Sequence, residues 1–176
     1  MKIIGRRRQN LIDSGIIRLR RTEEDDLAFV IEAERDQQNS LYVGQWNQQE
    51  HRDALQDPDI LHIIIENAAE EPAGYVIVTG LTDPNLSVCI KRIVVVKKGS
   101  GYGKETLRLL KEWLFRSTSV HRLWLDVKTH NARARHIYEG AGFTPEGTLR
   151  ECVKVGDRFD SLHILSILRT EYEAGR

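Results

Sequence analysis

Cysteine is scarce in this chain: the 176 residues hold two, Cys89 and Cys152, with no CxxC spacing and no histidine at metal-ligand distance in sequence. That excludes a disulfide-stapled secreted scaffold and a cysteine-built metal module. Both cysteines sit in apolar stretches and read as reduced core residues. Net charge is missing too, since 26 Lys and Arg balance 26 Asp and Glu. No global field therefore favours nucleic acid or an anionic membrane, and any preference for anions must be local. Long apolar runs are absent: none approaches the ~20 residues of a membrane span. The basic residues at 2, 6, 7 and 8 lead into no signal-peptide stretch, so the expectation is a soluble cytoplasmic protein. Repeats and low-complexity tracts are also lacking. What is present, 40% hydrophobic residues over 176 positions, suits one core. The expected division is a loose tail or short helix over 1–15, one domain over 16–172 and a short tail over 173–176.

Periodicity places the elements. Residues 15–21 read as a strand. Thr22, followed by Glu23, Glu24, Asp25 and Asp26, reads as a capped helix start with acids facing the dipole. Leu27, Val30, Ile31 and Ala33 give that helix an apolar face. A looser segment over 36–47 carries Tyr42, Gln45 and Trp46, and a short helix follows over 48–56. Residues 61–66 and 74–80 form a hairpin, and 88–96 a third strand. Leu107, Leu110, Trp113 and Leu114 fall on one side of the next helix. Residues 123–127 are a strand, and 131–141 a helix with Ala134, Ile137, Tyr138 and Ala141 on one face and Gly142 as its left-handed stop. Two strands, 148–155 and 161–168, join at Gly156 and Asp157 and close the chain. The order implies a mixed sheet with helices packed on it rather than a doubly wound dinucleotide fold.

The most informative junction is the apolar strand Ile93, Val94, Val95, Val96, which passes Lys97 and Lys98 into a loop with glycine at 99, 101 and 103 and then directly into a helix. Glycines let main-chain N–H groups turn inward, and the helix start faces whatever anion the loop holds. A Walker A loop would need glycine at Lys98 and Ser or Thr at Glu105, and the dinucleotide fingerprint needs a different glycine spacing. The phosphate cradle is thus of another kind.

Downstream come Leu123, Trp124, Leu125, Asp126 and Val127, then Asn131, Ala134, Tyr138, Gly142 and Phe143. With Lys98, Gly101 and Gly103 before them, these residues resemble the GNAT superfamily of acetyl-coenzyme A dependent N-acetyltransferases. The ending, with Glu146, Gly147, Arg150, Glu151 and residues 158–161, is similar to its RimJ/RimL and spermidine acetyltransferase branch. The resemblance covers about 16–172 and is strongest over 93–143. It implies an α/β (α+β) fold, a mixed, mostly antiparallel twisted sheet of about six to seven strands flanked by about four helices.

It also implies roles. Ile93, Val94 and Val95 would hold the pantetheine arm through their backbone, and Lys98, Gly99, Ser100, Gly101, Tyr102, Gly103 and Lys104 would wrap the pyrophosphate. Asn131 would contact the pantetheine arm, cap its helix, or both. Tyr138 would be the general acid to the coenzyme A thiolate. The reaction would be direct attack of a primary amine on acetyl-CoA, without a metal, the acceptor being a small-molecule amine or a peptide N-terminus. No acid stands on the strand before the loop, where Cys89, Lys91 and Arg92 occur instead. Glu32, Glu34, Glu50, His51 and Asp126 remain open as bases. That gap keeps an alternative alive, a non-catalytic acyl-CoA binding or sensing module. Tyr42, Gln45 and Trp46 are candidates for an aromatic acceptor wall, and open strand edges suit a homodimer.

Overall fold

The computed structural model describes residues 9–175. Its strands are β1 (Asn10–Asp13), β2 (Ile17–Arg21), β3 (Ile60–Asn67), β4 (Pro72–Thr79), β5 (Ser87–Val95), β6 (Arg122–Lys128), β7 (Thr144–Val155) and β8 (Arg158–Leu168). Its helices are α1 (Leu27–Arg35), α2 (Gln37–Ser40), α3 (Gln48–Gln56), α4 (Tyr102–Ser117), α5 (Ala132–Gly140) and α6 (Arg169–Ala174). The strands form one eight-stranded sheet in the order β1-β2-β3-β4-β5-β6-β8-β7. Every pairing is antiparallel except that of β5 with β6.

Strand alternation sends side chains to two different cores. On β3, Leu61, Ile63 and Ile65 join Val76 and Val78 of β4 beneath α4, which contributes Leu107, Leu110 and Leu114. The opposite face carries Ile64, Tyr75 and Ile77 against Val30 and Ala33 of α1. At Gly74 the sheet is so tight that a Cβ would lie 2.2 Å from the Val94 carbonyl oxygen, and only glycine fits.

The structure differs from the sequence reading at the ends and caps. Residues 1–8 lie outside the described residues, while Asn10–Asp13 pairs with β2 as an edge strand, with Leu11 and Ile12 packed on the core. This strand raises the count to eight, and the short α2 and α6 raise the helices to six. Thr22 does not cap the first helix, because its hydroxyl is 2.8 Å from His62 Nδ1. Glu23 and Asp26 instead form a capping box around a single 3-10 turn, Glu24–Asp26. Cys152 is another correction: Cys89 is buried, but Cys152 is exposed, because β7 is an edge strand of a long hairpin with little packed on it.

Candidate active site

The site begins where two neighbouring strands part. β5 and β6 are paired only over Ser87–Arg122, Val88–Leu123 and Cys89–Trp124, although both continue further. Just past that point β5 has a bulge: Ile77 pairs with Arg92 and Val78 with Ile90, which leaves Lys91 without a partner on β4. Bulges bend a strand and increase its twist. The edge of β5 that faces β6 is therefore open, and its main-chain groups border a cavity of about 610 Å³.

The glycine loop closes one end of that cavity. Gly99 and Gly101 adopt φ of 78° and 81°, the left-handed region that strains other residues. The Ser100 hydroxyl donates to the Lys97 carbonyl at 2.8 Å and fixes the turn. Among the described residues the N–H groups of Gly101, Gly103 and Lys104 meet no protein acceptor, and they lie at the positive end of the 16-residue α4. Residues 93–95, 98–104, Asn131 and Tyr138, all singled out in the sequence, line this one cavity. Asn131 caps α5 by accepting from the Ala134 N–H at 3.2 Å.

Tyr138 reaches the cavity from α5, its ring edge-on to Phe143 with centroids 6.3 Å apart. Burial, with a further push from the Asp126 charge, holds its phenol well above the ordinary value. Asp126 itself titrates above the usual carboxylate range because it is partly stripped of water, and Lys91 opposes that effect. Of the other carboxylates considered as bases, Glu32 is exposed on α1 and outside the cavity lining, and two are committed elsewhere. Glu50 completes the capping box of α3. Glu34 is buried and accepts from Tyr75 Oη at 2.9 Å, Arg92 at 2.8 Å and the Trp46 N–H at 2.9 Å. These contacts, with His51 beside them, hold its carboxyl below the ordinary range despite burial. His51 is enclosed between Glu34 and His62, at 3.4 and 3.2 Å.

The segment after α1 forms the remaining wall, but not as an aromatic triad. Tyr42 lines the cavity and packs on His130 at 5.9 Å. Trp46 does not line it; the Arg92 guanidinium lies 4.2 Å over its ring, and Gln45 is exposed outside the lining. The sequence reading missed Asn39, which receives a hydrogen bond from Lys98 Nζ at 2.6 Å, and Arg133. Burial and the Arg133 charge pull the Lys98 ammonium below its ordinary value. Arg133, two residues after Asn131 and on the same helix as Tyr138, was findable from its position; Asn39, in a polar stretch without period, was not.

The lining is rich in cations, namely Lys91, Arg92, Lys97, Lys98, Lys104 and Arg133, and holds no carboxylate. Free helix-start N–H groups, a glycine cradle and this charge suit a polyphosphate, and the open β5 edge suits an amide-bearing arm. These features fit coenzyme A.

Comparison with known proteins agrees. The sequence profile of the acetyltransferase (GNAT) domain matches residues 17–144. A spermidine N(1)-acetyltransferase of Vibrio cholerae is 24% identical over 165 residues, covering 88% of this chain and 94% of the relative. A probable N-acetyltransferase, YjcK, of Bacillus subtilis is 31% identical over 75 residues, 43% of this chain and 41% of the relative. Among solved structures, the Vibrio cholerae spermidine N-acetyltransferase in complex with CoA and spermine superposes with a TM-score of 0.80 at 21% identity, covering 91% of this chain and 99% of that one. With more than half of its length matched to the family profile and the cradle and cleft in place, the chain belongs to the GNAT acetyltransferases, enzymes that use acetyl-coenzyme A as acetyl donor.

Proposed function

We propose that the chain moves an acetyl group to a primary amine by direct attack, with Tyr138 serving the departing sulfur and Asp126 receiving the amine proton. The observation that carries this reading is the single cavity that joins the glycine cradle, the open edge of β5 and Tyr138. Acetyl-CoA supplies the thioester. The pyrophosphate rests on the N–H groups of residues 99–104, with Lys98 and Lys104 beside it, and the pantetheine arm lies along Ile93, Val94 and Val95. A main-chain N–H of that edge faces the developing oxyanion.

The amine nitrogen forms the new C–N bond as the C–S bond breaks, and the electron pair leaves with sulfur. An ordinary phenol is about 1.5 pK units too weak to give its proton fully to a thiolate, roughly 2 kcal/mol, and burial widens that gap. Tyr138 therefore acts mainly as a hydrogen-bond donor to the sulfur, with complete transfer only as products form. An alkyl ammonium near pKa 10.4 is about one part in a thousand neutral at pH 7, so it needs a proton acceptor. Asp126 stands outside the cavity lining but its charge is felt at Tyr138, so the amine proton reaches it by way of water, and its raised pKa makes it a better final acceptor than an ordinary aspartate.

Polyamines are the first acceptors to test, because the Vibrio cholerae relative is a spermidine acetyltransferase. The cationic lining favours a second reading, an acceptor with one ammonium group such as a peptide N-terminus. A solved Vibrio cholerae relative is dodecameric, which supports assembly of this chain through its own strand edges. The deciding experiment is an acetylation screen of polyamines, amino sugars and peptides read by mass spectrometry. Acetylated product from any one class assigns the acceptor. Coenzyme A binding with no product from the whole panel would remove the catalytic reading of Tyr138 and Asp126.

A further inference from the structure

Beyond the glycine loop, Asn131 and Tyr138, the cavity lining comes from the segment after α1, with Tyr42 and Val43, and from Lys91 and Arg92 of β5. We infer that this part of the cavity takes an amine that also carries a carboxylate, a short amino acid, with Arg92 gripping the carboxylate while the amine meets the thioester. The inference rests on acetyl transfer as proposed above and names the class of its acceptor.

Arg92 is only 7% exposed, a buried cation at a cavity wall. Its plane is fixed twice over: Nη1 donates to Glu34 at 2.8 Å, and the guanidinium stacks on Trp46 at 4.2 Å. Among the described residues its Nε and Nη2 meet no protein acceptor. Those two N–H groups make the parallel edge that holds a carboxylate by two bonds, and a guanidinium already immobilised gives up little freedom in forming them. Gly44 keeps one flank clear, since a Cβ there would stand 3.1 Å from Nη2.

Glu34 offsets the Arg92 charge, so the net attraction comes from the neighbouring residue. Lys91 stands exposed in the bulge, and among the described residues no carboxylate pairs with it. A polyamine needs the reverse arrangement: each ammonium taken out of water calls for a carboxylate, and this lining holds none. Spacing limits the length of the acceptor. Arg92 directly precedes the edge Ile93, Val94, Val95 proposed for the pantetheine arm, and strand residues advance by ~3.3 Å each, so amine and carboxylate lie a few atoms apart. The product is an N-acetyl amino acid, its carboxylate unchanged, and coenzyme A leaves as the thiol.

The test follows thiol release from acetyl-CoA by the full chain with the common L-amino acids, each beside its carboxamide, and with spermidine. The expected result is a kcat/KM at least about tenfold higher for one or more amino acids than for the matching amides and for spermidine. Amidation lowers the pKa of the neighbouring amine and so favours the amide, which means that the supply of free amine does not imitate this preference. In Arg92→Lys, which leaves Glu34 a counter-charge, the acid-to-amide ratio should fall to within about threefold through a higher KM for the acid, while the Kd of acetyl-CoA stays within about twofold. Lys91→Met, at an exposed position outside the buried network, should lower the same ratio about threefold. A purely structural role would move acid and amide together and leave the ratio alone. Amides or spermidine used as well as the amino acids, or a ratio unmoved by both substitutions, overturn the inference and leave acetyl transfer standing. Inactivity toward every amino acid, with product from another class in the wider screen, overturns it too. Absence of product from every amine overturns the proposed function beneath it.

Discussion

The two faces of the sheet are held by different physics. Beneath α4 the packing is aliphatic and aromatic, with Thr106 as a lone buried hydroxyl. Beneath α1 only six buried apolar residues cluster, and the space between them is filled by charges and imidazoles: Arg20 with Asp26 and Glu66, and Glu34 with Arg92, His51 and His62. Arg20 is fully buried, with its guanidinium 2.7 Å from Asp26 and 2.6 Å from Glu66. An apolar face loses stability roughly in proportion to the atoms removed. A buried polar network depends on every member, because one deletion leaves its partner charged and dry. The difference also divides the surroundings of the cavity: the apolar face seats α4 and α5, which carry the end of the glycine loop and Tyr138, and the polar face holds Arg92 with Trp46 stacked on it.

The sharpest test of that contrast is Glu34→Gln. It leaves Arg92 buried without a counter-charge and should cost about 3 kcal/mol in chemical denaturation, with a raised KM for the amine acceptor and little change in Kd for acetyl-CoA. If stability and acceptor KM both stay at native values, the polar face is not cooperative. On the other side, Gly101→Asp places a carboxylate in the phosphate cradle at a left-handed position. At least a hundredfold loss of acetyl-CoA affinity is expected by titration, about 2.7 kcal/mol, with the fold intact. Tyr138→Phe should keep acetyl-CoA binding within about twofold and lower kcat at least tenfold; an unchanged kcat would remove the hydroxyl from the mechanism.

The smallest effect is set by pH. Burial, reinforced by the neighbouring His51 and Arg92, pushes His62 from 6.5 down to about 3, so it stays neutral in the fold while the unfolded chain takes up a proton. Stability from this group is complete above pH 6.5 and falls below it, by about 1 kcal/mol between pH 6.5 and 5.5. Urea titrations across that range should show the slope in the native protein and lose it in His62→Gln. A Leu110→Ala variant, wounded on the apolar face, should keep the slope unchanged.

The apolar face and the cofactor end were legible because their signals are local. Leu107, Leu110 and Leu114 recur at helical spacing, and the strand, glycines and helix of residues 93–117 lie next to one another in the chain. The polar face was hidden because its partners are far apart: Arg20 and Glu66 are 46 residues apart, and Glu34 and Arg92 58. Nothing in either neighbourhood marks the acid as buried. His51 and Glu34 could be named only as open candidates, and the structure buries both in one cluster with Arg92, Tyr75 and His62. β1 escaped for another reason, since four residues at a sheet edge give no period to read. Trp46 showed that an aromatic near a site has two uses, and a neighbouring guanidinium decided between them.

The bulge at Lys91 separates the needs of the fold from those of the reaction. Ile90 points into one core and Arg92 into the other, so the supernumerary lysine contributes to neither. A chain shortened by that one codon would keep its alternation and still build a sound sheet. It would also draw the two central strands together along their length, and a stable, soluble molecule would be left with its doorway sealed.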